Sequence, residues 1–126
     1  MSLARSSVRG LIAGLAFFAS AAAFAHPKLV STTPSAQSTV AAPASINLTF
    51  SETLLPMSGA ELTMTDMPGM AMPPMKIEAK AAPAKDGKSL LLTPAKSLSP
   101  GTYRVDWHVV STDTHPVKGS FEFKVK

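Results

Sequence analysis

Beyond its first 25 residues the chain is a series of short runs in which apolar and polar side chains alternate. Ile46, Leu48 and Phe50 alternate with Asn47 and Thr49. Tyr103, Val105, Trp107 and Val109 alternate with Arg104, Asp106 and His108, and Phe121, Phe123 and Val125 with Glu122, Lys124 and Lys126. A period of two sends successive side chains to opposite faces of an extended chain, so each run predicts a half-buried strand. Weaker alternation marks 28–32, 59–64, 76–81 and 89–93 as further strands. Asp86-Gly87 predicts a hairpin turn between the last two, and Ser99-Pro100-Gly101 punctuates the entry to the Tyr103 strand. No segment carries a sustained helical stripe with caps. About seven short strands predict an all-β fold, a sandwich or barrel, whose large core residues are Trp107, Tyr103 and the phenylalanines.

The opening segment follows a different pattern. Arg5 and Arg9 precede an apolar stretch from Leu11 to Phe24, interrupted only by Gly14 and Ser20, and Ala23-Phe24-Ala25 supplies a small-x-small site. This is the build of a secretory signal peptide cleaved after Ala25. The competing reading, a retained anchor, needs a run of roughly 18 apolar residues, which this stretch falls short of. Cleavage would leave residues 26–126 as one small domain with His26 at its N-terminus.

Processing also changes the charge. The whole chain carries a formal +4, but Arg5 and Arg9 leave with the leader, bringing the working protein to about +2. Its remaining cations are mostly scattered lysines, with no basic stripe interleaved with aromatics, so nucleic acid is not an expected partner. There is no cysteine. That excludes thiolate zinc sites and blue-copper centres, and leaves methionine, histidine and carboxylates to supply any soft-metal chemistry. Gly-rich phosphate loops and a Gly-x-Ser-x-Gly elbow are absent as well.

One such concentration stands out. The segment MTDMPGMAMPPM, residues 64–75, holds Met64, Met67, Met70, Met72 and Met75 together with Pro68, Gly69, Pro73 and Pro74. Prolines fix φ and remove backbone donors, so this segment is expected to be a loop rather than a helix or strand. Clustered thioethers are neutral and polarizable, and favour Cu(I) over hard ions. The competing reading is an adaptable apolar patch, since methionine also serves such surfaces. Met64 continues the alternation of Leu62 and can equally point into the core.

Only three histidines exist, His26, His108 and His115. After cleavage His26 offers an α-amine and an imidazole, a compact chelate for Cu(II). Pro27 has no amide N–H to deprotonate, so the ion must find its other ligands elsewhere in the fold. Asp113-Thr114-His115 supplies an Asp-x-His pair whose side chains point the same way if the backbone is extended. Asp106 and His108 have the same spacing but lie on the outward face of the Trp107 strand, where an exposed strand histidine is the simpler reading. Placement at a strand end favours the Asp113 pair.

At this point the residues resemble those of the CopC family of periplasmic copper-resistance proteins. The likeness runs from HPKLVSTTP at 26–34 through LTFSE at 48–52 and MPGM at 67–70 to GTYRVDWHVVSTDTHPVKGSFEFKVK at 101–126. It implies a Greek-key β-barrel or sandwich, cupredoxin-like or Ig-like, without a blue-copper site. It implies Cu(II) ligands at His26 (amine and ring), Asp113 and His115, with Glu52 as a weak ligand or neighbour of the ion. It implies a Cu(I) site on Met64, Met67, Met70 and Met75. Where the family's loop commonly carries a histidine, this chain has Met72, which either replaces the imidazole as a ligand or fills space.

The function implied is that of a copper carrier in the periplasm, soluble once its signal is removed and not an enzyme. It would exchange metal with an inner-membrane copper importer, a periplasmic multicopper oxidase or other copper-resistance proteins. Two other classes compete. A histidine-brace copper monooxygenase also chelates through an N-terminal histidine, but needs an open coordination position and a substrate platform. A metal-free periplasmic β-sandwich interaction module explains the strands and neither the His-Pro start nor the methionine loop.

Overall fold

The computed structural model describes residues 26–126; the expected leader and its cleavage site lie outside the described residues. Among the described residues nine strands form: β1 (Leu29–Thr33), β2 (Thr39–Val40), β3 (Ile46–Phe50), β4 (Gly59–Asp66), β5 (Met75–Ile77), β6 (Ala79–Pro83), β7 (Ser89–Pro94), β8 (Gly101–Val110) and β9 (Pro116–Val125). They make two sheets, β1-β3-β7-β6 and β2-β9-β8-β4-β5, antiparallel throughout except for the short parallel pair of β2 and β9. The chain changes sheet after β1, β2, β3, β5 and β7, and stays in one sheet only for the β4–β5, β6–β7 and β8–β9 hairpins. The architecture is a β-sandwich, and among the described residues there is no helix.

The alternation that predicts the strands also fills the core. Ile46, Leu48 and Phe50 from one sheet meet Leu62, Tyr103, Val105, Val109 and Phe123 from the other, all essentially inaccessible to water. Trp107 meets Phe50 edge-on at 5.1 Å between centroids, and Tyr103 stacks on Phe123 at 5.7 Å. Such pairs add specific geometry to apolar burial. Trp107 lies over Gly119, its cross-strand partner, where a Cβ would overlap the indole ring.

Two expectations change in detail. The run at 76–81 divides at Glu78, with β5 pairing to β4 and β6 pairing to β7 in the opposite sheet; one alternation therefore spans a sheet-to-sheet crossing. The two-residue β2 is too short to show any period. The hairpin at Asp86-Gly87 forms as expected, joining β6 to β7: Gly87 takes φ +74, and Asp86 Oδ1 accepts the backbone N–H groups of Lys88 and Ser89 at 2.9 and 3.0 Å.

Strand β8 sets the distance between the two candidate sites. Its N-terminal end pairs with the end of β4, where the methionine segment begins, and its C-terminal end pairs with Pro116, next to His115. Ten residues of strand separate them, about 30 Å at roughly 3.3 Å per residue. The methionine segment and the His26–His115 region therefore occupy opposite ends of the five-stranded sheet.

Candidate metal centres at the two ends of the sandwich

The histidine end is assembled from two segments far apart in sequence. Pro27 is fully buried and pins the start of the chain against the sandwich. Lys28 follows, donating its N–H to Ser51 Oγ at 2.9 Å and accepting from Ser51 N–H at 2.9 Å, which extends the β1–β3 ladder by one step. His26 projects beyond this anchor, 63% exposed at its side chain, toward the loop joining β8 to β9.

That loop departs from the extended Asp-x-His geometry expected from spacing. Ser111 to Thr114 is a turn closed by Thr114 N–H on the Ser111 carbonyl at 2.9 Å, and Thr114 has φ +64. The left-handed region is costly for a β-branched residue, so the side chains of Asp113 and His115 converge through a strained turn rather than along a strand. Asp113 Oδ1 accepts from the Ser111 hydroxyl at 2.9 Å and from the His115 N–H at 3.1 Å.

The other carboxylate oxygen is the informative atom. Asp113 Oδ2 lies 2.9 Å from His26 Nδ1, an ion pair when that ring is protonated, and 3.9 Å from His115 Nδ1, on a side chain only 3% exposed. The two rings are 5.6 Å apart between centroids. Burial pushes this carboxyl up, but the His115 N–H, the Ser111 hydroxyl and the imidazoles of His26 and His115 together hold it below the ordinary carboxylate value. Each of the three residues presents a ligand atom, and all three atoms lie within 4.8 Å of one another. A buried carboxylate oxygen facing two imidazole nitrogens fits a cation with nitrogen and oxygen ligands once both rings are neutral.

Glu52 is outside this group. It lies half-buried just after β3, beside the Ser51 anchor. His108 is outside it too, exposed on the outer face of β8 with its ring edge against Gly59, while Asp106 bonds Arg104 Nε at 2.9 Å.

At the opposite end, the methionine segment is less irregular than its prolines suggest. Met64 belongs to β4, and Met75 opens β5 directly opposite it. The irregular part is 67–74, where all three prolines fall. Met70 N–H bonds the Met67 carbonyl at 3.1 Å around Pro68-Gly69, with Gly69 at φ +76. Pro followed by Gly at these positions is the composition of a type II turn, which sets Met67 and Met70 across from one another.

The five thioethers are not equivalent. Met64 is buried in the core at 2% exposure. Met64, Met67 and Met75 line one cavity of about 320 Å³ together with Tyr103 and Leu98. Met70, 60% exposed, projects from the turn, and Met72 packs against the edge of the core. Gly101 backs Met64 so closely that a Cβ there would overlap the thioether methyl.

Spacing alone did not single out Ser51, Ser111 or Thr114. Asp113-x-His115 is the sequence trace of a side chain bonding the backbone two residues on, a turn pattern available to Asp, whereas the Ser111 hydroxyl bonds the Asp113 carboxylate itself.

The CopC domain model matches residues 29–126. Copper resistance protein C of Xanthomonas campestris pv. juglandis is 64% identical over 123 residues, covering 97% of either chain. Copper resistance protein C of Escherichia coli is 52% identical over 119 residues, covering 93% of this chain and 91% of the relative. Among solved structures, PcoC, a methionine-rich copper resistance protein from Escherichia coli, superposes with a TM-score of 0.75 at 52% identity, over 81% of this chain and all of that one. CopC from Methylosinus trichosporium OB3b superposes with a TM-score of 0.63 at 31% identity, over 80% of this chain and 94% of that one. The chain belongs to the CopC family.

Proposed function

We propose that this protein is a periplasmic copper carrier serving copper resistance and homeostasis, matured by cleavage after Ala25. Cu(II) is held by the freed α-amine and the imidazole of His26 with Asp113 and His115, and Glu52 is a weak ligand or a neighbour of the ion. The observation that carries this reading is the convergence of His26, Asp113 and His115, whose ligand atoms all lie within 4.8 Å of one another around a buried carboxylate oxygen. The relatives named for copper resistance support the same cargo.

Cu(I) is taken at the methionine end. Met64, Met67 and Met75 share one cavity and supply three neutral, soft donors, with Met70 on the turn and Met72 beside the core as further candidates. Metal is passed by ligand exchange to an inner-membrane importer, a periplasmic multicopper oxidase or another copper-resistance protein. No bond in a substrate has to be made or broken. The described aromatics, Phe50, Tyr103, Trp107, Phe121 and Phe123, are all buried, which leaves no stacking platform and supports a carrier over a monooxygenase.

The test is to load the protein bearing a free His26 amine with Cu(II), record metal content and electron paramagnetic resonance spectra, then reduce it and repeat. One Cu(II) with nitrogen ligands, followed by retention of Cu(I), is the expected result. Absence of stoichiometric binding in either state would overturn the reading.

A further inference from the structure

The histidine-end cluster is made of two exposed imidazoles and one buried carboxylate, carried by a chain terminus and a hairpin loop. Left to themselves such elements would be ordered only when the metal arrives, and the ordering cost would subtract from affinity. The hydrogen bonds around the cluster oppose this, and they centre on two serines.

Ser111 is buried to 2% exposure and serves the loop twice. Its carbonyl closes the turn on Thr114 N–H at 2.9 Å, and its hydroxyl donates to Asp113 Oδ1 at 2.9 Å. With the His115 N–H on the same oxygen at 3.1 Å, Oδ1 is fully engaged and the carboxylate cannot rotate freely. Oδ2 alone is left to face His26 and His115. Ser51 serves the other arm: its hydroxyl accepts from Lys28 N–H and its own N–H donates to the Lys28 carbonyl, both at 2.9 Å. Together with the buried Pro27 this leaves only His26 itself free to move.

We infer that Ser111 and Ser51 are positioning residues, each holding one arm of the His26, Asp113 and His115 cluster so that its ligand atoms converge before a metal ion binds. The inference rests on the proposed Cu(II) reading. It also ranks the two serines. The Ser111 hydroxyl touches a ligand residue directly, whereas replacing Ser51 by alanine removes one of two bonds to Lys28 and keeps the backbone one. Loss of a group that orients a metal ligand typically lowers affinity by about 10- to 100-fold.

The experiment compares the wild type with Ser111→Ala, Ser111→Thr, Ser51→Ala and Ser51→Thr, all with a free His26 amine. Cu(II) affinity is read by competition, the ligand field by electron paramagnetic resonance, and Cu(I) affinity as a control at the far end of the sandwich. Ser111→Ala is expected to lose about 10- to 100-fold in Cu(II) affinity and to change its spectrum, as Asp113 is released to turn or bind through both oxygens. Ser51→Ala should lose less. Threonine at either position keeps the hydroxyl and should restore affinity and spectrum, and Cu(I) affinity should stay at the wild-type value throughout. Alanine variants that match the wild type in Cu(II) affinity and spectrum would overturn the inference while leaving the proposed function standing. So would a loss that threonine does not repair and that Cu(I) binding shares, since that is general damage to the fold. A wild type that takes up no Cu(II) would overturn the proposed function and this inference with it.

Discussion

His26 Nδ1 stands 2.9 Å from Asp113 Oδ2, an oxygen on a side chain only 3% exposed. Buried polar atoms are almost always paired, because leaving one unpaired forfeits its hydration for nothing in return. A hydrogen bond would require the ring to aim an N–H at the carboxylate. A cation asks for the opposite, with imidazole lone pairs and the carboxylate oxygen aimed at one shared point. A proton on the ring and a metal ion are therefore alternatives at this pair, and the ion must displace the proton to bind.

The first prediction follows from the terminus. If the His26 amine is a ligand, any residue in front of it removes that ligand while leaving the fold, anchored at Pro27 and Lys28, unchanged. A protein beginning Gly-His26 should bind Cu(II) at least about tenfold more weakly than one beginning at His26, tenfold being 1.4 kcal/mol. Equal affinities in a competition titration would remove the amine from the ligand set.

A second prediction separates the two Asp-x-His pairs. His115 has a ligand atom within 4.8 Å of those of His26 and Asp113, and His108 does not. His115→Ala should weaken Cu(II) binding by roughly ten- to a thousandfold, or about 1.4 to 4 kcal/mol, and shift the spectrum of the bound ion. His108→Ala should change neither. A spectrum that responds to His108 rather than His115 would reassign the site.

Far from either centre, Asp86 gives a pH prediction for the apo fold. The Lys88 N–H and the Ser89 hydroxyl, with smaller help from the Ser89 N–H and the Lys88 charge, outweigh desolvation and hold its carboxyl below the ordinary 3.8. A carboxyl depressed on folding contributes stability above its unfolded value, and that contribution is lost as pH falls through the lower folded value. Wild-type melting temperature should therefore exceed that of Asp86→Asn at neutral pH, and the gap should close below about pH 4. A gap that is constant from pH 7 to pH 3 would show that the charge on Asp86 contributes nothing.

The strands were readable because a half-buried strand imposes a period of two, and Tyr103 to Val109 and Phe121 to Val125 keep it faithfully on both sides of one hairpin. What the period does not report is pairing. The crossing at Glu78 was invisible because alternation is the same whichever sheet a strand joins. The histidine end was readable as residue types, His26, Asp113 and His115, but not as geometry. Their convergence depends on a left-handed Thr114 and on Ser111, whose role is set by burial rather than by spacing. At the methionine end the count of thioethers was plain from sequence. Their division into cavity-lining, core-packed and projecting members arises from β4 and β5 continuing to Asp66 and starting at Met75, past where proline content placed the loop.

That division bears on the last prediction, which concerns protons. Imidazole titrates near ~6.5, so a Cu(I) site with a histidine ligand loses affinity as pH falls through that region, whereas a thioether has no proton to release. The methionine loop itself carries no histidine, and His26 and His115 are at the other end of β8, about 30 Å away by strand length. Neither can reach Met64, Met67 or Met75 within one molecule. Cu(I) affinity should therefore be nearly flat between about pH 5 and 7.5 in a competition titration against a chelator of known pH dependence. Met72→His should introduce a slope, with the tightest binding at the upper end. If the wild type itself weakens at acidic pH in proportion to protein concentration, the imidazole must come from a second molecule, and the two ends of different chains would share one ion. A slope independent of concentration would contradict the all-thioether site outright.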